Sequence, residues 1–350
     1  MIAGGGGRLP VVWEIRRRWG GGGFYPAVVR DLLALPKAHL HVHLESTVRP
    51  GTLAEFAARY GVVVAPVPSR FRGFRDFADR NSVVRGCVRS AEDFRRVAVE
   101  FCADEAAQGT RYAEVTFTAA SHGDRVGDPG MPLAAVVDGL RVGQREHGIV
   151  VRLILDHSRR RPVGRLERTV ELACRYEEVV GVGLAGDEAY PLAPFAPVLR
   201  AARSAGLRLV HHAGETAGAA SVREAVEVGG AERVGHGFRA VEDREVVAML
   251  TDRAIPVEVC VSSNAVLGLV GSVAEHPLPD LVAAGVVVTV NTDVPDVTGR
   301  SLAAEYGVLR SVFGWDDDAV AGVARAGVAA SFAPEPLRRE LLAGIEAWRR

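Results

Sequence analysis

No two cysteines of this chain are spaced as C-x-x-C; Cys87, Cys102, Cys174 and Cys260 stand far apart. That excludes a thiolate zinc knuckle and a disulfide framework, and it reads as reduced thiols packed in a core, hence a cytoplasmic protein. Neither charge sign is in excess, since 42 basic and 43 acidic residues leave a formal net charge of -1. Without a basic field to displace counterions, no nucleic-acid partner is expected. No apolar run reaches the roughly 18 to 20 residues that span a bilayer, and residues 281–290 form only a strand-length run, so no membrane partner is expected either. Glu14 and Arg16 to Arg18 interrupt any signal-peptide core. Internal repeats, an HExxH helix, a serine elbow, a lysine nucleophile and the HxE plus PCxxC arrangement are all missing.

What is present is a chain of 350 residues, 48% apolar, long enough for one large core. Residues 1–30 carry two glycine runs, Gly4 to Gly7 and Gly20 to Gly23, around a short basic segment with tryptophan. Ordering such glycine is entropically costly, so this part reads as a flexible extension or as a start codon placed too early. Residues 31–350 read as one domain.

From Leu33 onward, short β-branched runs alternate with stretches of helical spacing, the pattern of βα units on a parallel sheet. The runs are 38–44, 111–117, 150–156, 179–185, 207–212, 233–236, 256–260 and 286–291. Eight of them predict an α/β fold of the single (β/α)8 TIM-barrel type. Helical periodicity is clearest over 91–107, 132–147, 164–180, 194–205 and 221–228. A large insertion separates the first and second strands, and its Phe- and Arg-rich stretch 71–77 reads as a lid. Two extra C-terminal helices are expected over 302–313 and 319–332.

Polar clusters fall at the ends of these strands. In His39-Leu40-His41-Val42-His43, alternation puts three histidines on one strand face. His41 and His43, at the C-terminal end, are spaced to converge on one ion, whereas His39 lies deeper and is given no metal role. HHAGE at 211–215, GHG at 235–237, SSN at 262–264 and NTD at 291–293 end other strands. Each has a plain structural reading as turn, cap or loop start, but a barrel brings all these ends to one face, where its active sites are built. There His41, His43, His212 and Asp293 supply nitrogen and oxygen donors suited to one zinc or similar divalent ion per chain. Glu215 and His236 are the acid and imidazole available for proton transfer around an ion-activated water. The GVGLAG at 181–186 matches a dinucleotide fingerprint, yet Pro191 and Pro194 follow, and no acid occurs between Glu188 and Glu215 to hold a ribose.

The ordered series LPKAHLHVHLESTVRP, GLAGDE, HHAGETAG, ERVGHG, VEVCVSSN and VNTDVP resembles the adenosine deaminase branch of the amidohydrolase superfamily, from about Leu35 to Phe332. The resemblance implies that His41, His43, His212 and Asp293 are the metal ligands and that Glu215 protonates the purine ring nitrogen. It places His236 beside the attacking hydroxide and gives Asp293 a share in taking the water's proton. Hydroxide then adds at C6 of an aminopurine or nucleoside and ammonia leaves. Gly186 matches a position whose backbone amide meets the purine, and Glu45 an acidic position near the sugar.

Several positions depart from the family pattern. Val294 stands where a second Asp usually contacts the ring, Ser46 replaces a glycine, Val261 a proline, and Gly183 an Asp. These touch recognition more than the metal set. Val294 therefore either reshapes the pocket or is compensated by Asp296. The expected substrate is an adenosine-like nucleoside, with adenine, aminodeoxyfutalosine or a specialised nucleoside as alternatives. A silent binding protein on the same barrel is the reading from another class.

Overall fold

The computed structural model describes residues 30–350, so the reading of 1–30 as an extension falls, but for Arg30, outside the described residues. Eight strands follow one another in sequence order around a barrel: β1 (Lys37–His39), β2 (Thr110–Phe117), β3 (Val150–Ser158), β4 (Val179–Ala185), β5 (Arg208–Ala213), β6 (Arg233–His236), β7 (Val257–Val259) and β8 (Val288–Val290). Every neighbouring pair is parallel. Parallel strands joined by helices are covered on their outer face, which is why these segments are so uniformly apolar. Leu153, Val182, Leu209, Val234 and Val257 are all buried in one continuous core. Truncating a leucine there to alanine costs about 2 to 5 kcal/mol.

Closure between β8 and β1 is made at the level of the site. Val42 and Asp293 form a parallel bridge, and the amides of His43 and Asp293 donate to the carbonyls of Asp293 and His41 at 2.9 and 3.0 Å. Here the first expected strand is shorter than its sequence pattern. Regular pairing stops at His39 because Asn291 Oδ1 accepts the amides of Leu40 and His41 at 2.8 and 3.1 Å. A side chain thus replaces the ladder where the ligand histidines turn inward. The eighth run is trimmed likewise to Val288–Val290. The helix read over 164–180 spans Val163–Ala173, because Val179 already belongs to β4.

In the β1–β2 insertion lie helices Pro50–Tyr60, Phe74–Arg85 and Ala91–Ala107. The last starts on a reciprocal cap, in which Ser90 Oγ accepts the Asp93 amide and the Asp93 carboxylate accepts the Ser90 amide. Phe71 and Phe77 pack with Leu267, Val294 and Val297 in a second, smaller apolar cluster. That cluster clamps the helix Phe74–Arg85 across the C-terminal end of the barrel. The closing helices are Leu302–Ser311 and Asp317–Ala330, followed by Glu335–Arg349, which the sequence reading omitted. Of the four cysteines, Cys174 is exposed rather than packed in the core. No helix among the described residues is long and apolar enough to cross a membrane.

Candidate active site

His41 and His43 leave the end of β1, His212 ends β5, and Asp293 follows β8, so four strand-end donors meet although the chain separates them widely. One ligand atom from each lies within 4.8 Å of all the others. His43 Nε2 is 3.1 Å from His212 Nε2 and 3.3 Å from Asp293 Oδ1, and His41 Nε2 is 3.7 Å from the same oxygen. Ligands about 2.0 to 2.1 Å from a tetrahedral zinc are spaced about 3.3 Å from one another, close to the separations of these three pairs. The buried Nε2 of His41 has no hydrogen-bond partner, while its Nδ1 lies 2.7 Å from Glu258 Oε2. With Nδ1–H donated to the carboxylate, the lone pair of Nε2 faces the cluster. Burial disfavours charge on His41, but Asp293 and Glu258 overcome it and push its pKa up to about 10. The pocket therefore stabilises positive charge, and its donor set fits a divalent cation.

Backbone geometry here is strained. His236 and Asp293 have φ of 59 and 61°, the left-handed region that side chains other than glycine's rarely occupy. Between them, Gly235 gives His41 room; a Cβ there would come within 2.7 Å of the imidazole. Asp293 Oδ2 accepts from Ser263 Oγ at 2.6 Å, which fixes the carboxylate's rotation.

Glu215 sits 3.8 Å from His236 Nε2, and Asp293 lies 4.0 Å from the same nitrogen. Burial, then the charges of Asp293 and Glu188, hold the Glu215 carboxyl well above the usual range. Asp293 behaves oppositely: burial opposes ionisation, yet the His41 imidazole 3.7 Å away and the other imidazoles nearby keep it below that range. The two acids are pushed in opposite directions, the separation expected of a proton donor beside a base.

The tautomer of His236 is set by a chain of hydrogen bonds. The Leu278 amide donates to His276 Nδ1 at 3.1 Å, so the proton of this neutral imidazole is on Nε2. Burial pushes the His276 pKa down to about 3. His276 Nε2–H donates to Asn264 Oδ1, and Asn264 Nδ2 donates to His236 Nδ1, both at 3.1 Å. His236, brought down to about 4 by burial, is then neutral with Nε2–H turned toward Glu215 and Asp293.

A cavity of about 430 Å³ opens onto these groups and is also lined by Glu45, Asp156 and Gly186. Glu45 Oε1 accepts from the Thr118 amide at 3.0 Å and from His122 Nε2 at 3.1 Å, while Oε2 has no partner. Val294 does not line this cavity; it belongs to the apolar cluster under the lid. Asp296 does not line it either; its Oδ2 accepts from Arg80 at 2.8 Å, and its buried Oδ1 has no partner among the described residues. His39 sits below the site between Glu105 and Thr292.

The sequence reading missed several groups. Glu188 accepts the amides of Gly214, Glu215 and Thr216 at 2.7, 2.9 and 2.6 Å and so shapes the HAGE loop. Glu258 links His41 to Arg233, at 2.7 and 2.6 Å. Buried Arg159 donates to the His212 carbonyl. Asp156 ends β3 in a DHS sequence, so the strand-end rule applied to 233–237 or 291–293 would have found it. Glu188 carried the same signal, closing the GLAGDE motif three residues after β4 as Asp293 follows β8, whereas His276 lies far from any strand end.

A parallel barrel with a histidine–aspartate cluster that could hold a metal ion at its C-terminal mouth, next to a buried glutamate, is the arrangement of a hydrolase of the amidohydrolase kind. The model of the adenosine deaminase family matches residues 36–348, and the chain belongs to that family. It is a hydrolytic deaminase acting on C–N bonds. An aminodeoxyfutalosine deaminase of Streptomyces coelicolor is 37% identical over 92% of this chain and 88% of its own. Among solved structures, an adenine deaminase from Arthrobacter aurescens superposes with a TM-score of 0.85 at 28% identity, over 90% of this chain and 99% of that one. A Burkholderia ambifaria amidohydrolase with bound Zn gives 0.81 at 27% identity, over 91% and 92%.

Proposed function

We propose that this protein is a zinc-dependent deaminase that replaces the 6-amino group of an adenosine-like aminopurine nucleoside with oxygen and releases ammonia. His41, His43, His212 and Asp293 would hold one zinc ion per chain. The observation that carries the reading is this four-donor cluster, three of whose members, His43, His212 and Asp293, line one cavity together with Glu215 and His236. Zinc supplies, when bound, a water acidified to near neutral pH.

The chain's own residues supply the remaining chemistry. Glu215 keeps its proton in a buried site and delivers it to the ring nitrogen beside C6, which makes C6 electrophilic. Asp293 stays ionised and accepts the proton of the attacking water. His236 directs Nε2–H at the oxygen that adds and holds it beside the ring. Glu45, with a free buried Oε2, accepts from a hydroxyl or amine of the substrate, and the backbone at Gly186, with φ of 89°, meets the purine edge. Val294 acts on recognition through the lid, by packing under Phe71 and Phe77.

Adenine and aminodeoxyfutalosine fit this site as well as adenosine does, and the two deaminases compared above carry those names. A zinc-loaded preparation incubated with all three, and assayed for ammonia and for the ultraviolet shift of the ring, ranks them. If none releases ammonia above the uncatalysed rate, the reading fails.

A further inference from the structure

A second hollow of about 320 Å³ adjoins the active-site cavity, and the two share Ser82, Arg85, Ser121 and Arg161 in their walls. The junction lies between the helix Phe74–Arg85, the helix Ala119–Val126 and the loop that follows β3. None of its four residues belongs to the cluster of possible metal ligands or to the Glu215–His236 pair. The junction therefore shares the cavity of the ligand cluster but stands apart from it.

Arginines crowd this region, and their partners sort them. Arg75 is paired with Asp79 at 3.1 Å. Arg165 is in close contact with Asp124, and Arg125 is bonded to His122 and to the Val88 carbonyl. Arg85 and Arg161 differ. Neither side chain has an ion pair or a hydrogen bond among the described residues, although both face the cavity. Of the carboxylates nearby, Asp124 is taken by Arg165 and one oxygen of Glu45 by His122, while Glu45 Oε2 and Asp187 have no ion pair among the described residues. Two guanidinium groups with free planar donor edges, beside the hydroxyls of Ser82 and of Ser121, whose oxygen accepts from Arg165 at 3.4 Å, supply donors for an oxyanion.

We propose that the junction formed by Arg85, Arg161, Ser82 and Ser121 is an oxyanion subsite, so the substrate is an aminopurine whose sugar-side substituent ends in a phosphate or carboxylate group. This rests on the deaminase reading and narrows its substrate class from neutral nucleosides to anionic ones. The two hollows together also offer more room than a bare purine needs.

The test compares kcat/KM for adenosine, adenosine 5'-monophosphate and adenosine 5'-carboxylic acid with zinc-loaded protein at low ionic strength. At least one anionic substrate is expected to exceed adenosine by tenfold or more; the phosphate and carboxylate arms identify which anion is preferred. Arg85→Met is expected to lower that ratio at least tenfold, mainly through KM, and Arg161→Met to lower it less. Arg145→Met, at the opposite barrel end, serves as the charge-matched control and leaves the ratio unchanged. Calorimetric binding of inosine 5'-monophosphate and inosine 5'-carboxylic acid, set against inosine, gives a readout independent of turnover. If no aminopurine is deaminated, yet an anionic inosine derivative binds more tightly than inosine in an Arg85-dependent way, the deaminase reading falls and the subsite stands. Equal kcat/KM for neutral and anionic substrates, or an advantage that Arg85→Met leaves intact, overturns the subsite.

Discussion

At the barrel end of the site His41, His236 and Asp293 are each oriented by a partner, respectively Glu258, Asn264 and Ser263, whereas Arg85 and Arg161 at the outer wall have none among the described residues. The inner groups come from strand ends whose backbone is fixed by the barrel. The outer ones come from inserted helices and a loop. Bond-making chemistry needs donors held before the substrate arrives, because reorganising them during reaction would cost rate. Recognition of a charged substituent needs the reverse, donors left free to be satisfied by the ligand.

The sharpest break in this contrast is removal of a ligand. His212→Ala is expected to lose the metal and, with it, all measurable deamination; a purified variant that still holds one equivalent of zinc after dialysis would show that the cluster is not the metal site. Next comes Glu215→Gln, which keeps the side chain's shape but removes its transferable proton. It should retain metal while kcat falls by about 10²- to 10⁴-fold. Full activity in that variant would mean that the ring is protonated by another group.

A milder variant tests the hydrogen-bond chain instead of its end. His276→Phe removes the donor to Asn264 Oδ1, freeing the amide to rotate and present oxygen to His236 Nδ1. The expected loss is about 10- to 100-fold in kcat, as for other groups that orient ligands. Nitrogen-15 shifts of His236 should move from the Nε2–H to the Nδ1–H form, and an unchanged tautomer would remove His276 from the mechanism.

The smallest effect concerns stability. Glu305 lies beneath the SSN segment, where burial pushes its pKa up to about 7 despite hydrogen bonds from Ser262. Because the folded value is above the unfolded one of about 4.5, its favourable contribution is complete below that pH and is lost as pH rises through about 7. Glu305→Gln mimics the protonated form, so the fall in Tm between pH 5 and pH 8 should shrink by the equivalent of about 1 to 3 kcal/mol. An identical pH dependence in the variant would place this carboxyl in water.

Much of the site was legible because strand-end chemistry is local. His41 and His43 are two residues apart on one strand, and each of the segments bearing His212, Glu215, His236 and Asp293 ends a β-branched run. The barrel rule then supplied the convergence. Less legible was anything requiring a side chain to replace backbone, such as Asn291 cutting short β1. The position of Val294 was also out of reach, since sequence placed it beside Asp293 while packing turned it beneath Phe71 and Phe77.

The order of residue types along the chain determined the eight-strand architecture, the donor atoms available to a metal and the reaction class, because periodicity and strand-end polarity act over a few neighbouring residues. Only the tertiary structure decided which carboxyl keeps its proton, which imidazole nitrogen faces the cavity and which arginines stay unpaired. Those properties depend on burial and on partners far away in the sequence, and both come into being only when the barrel closes.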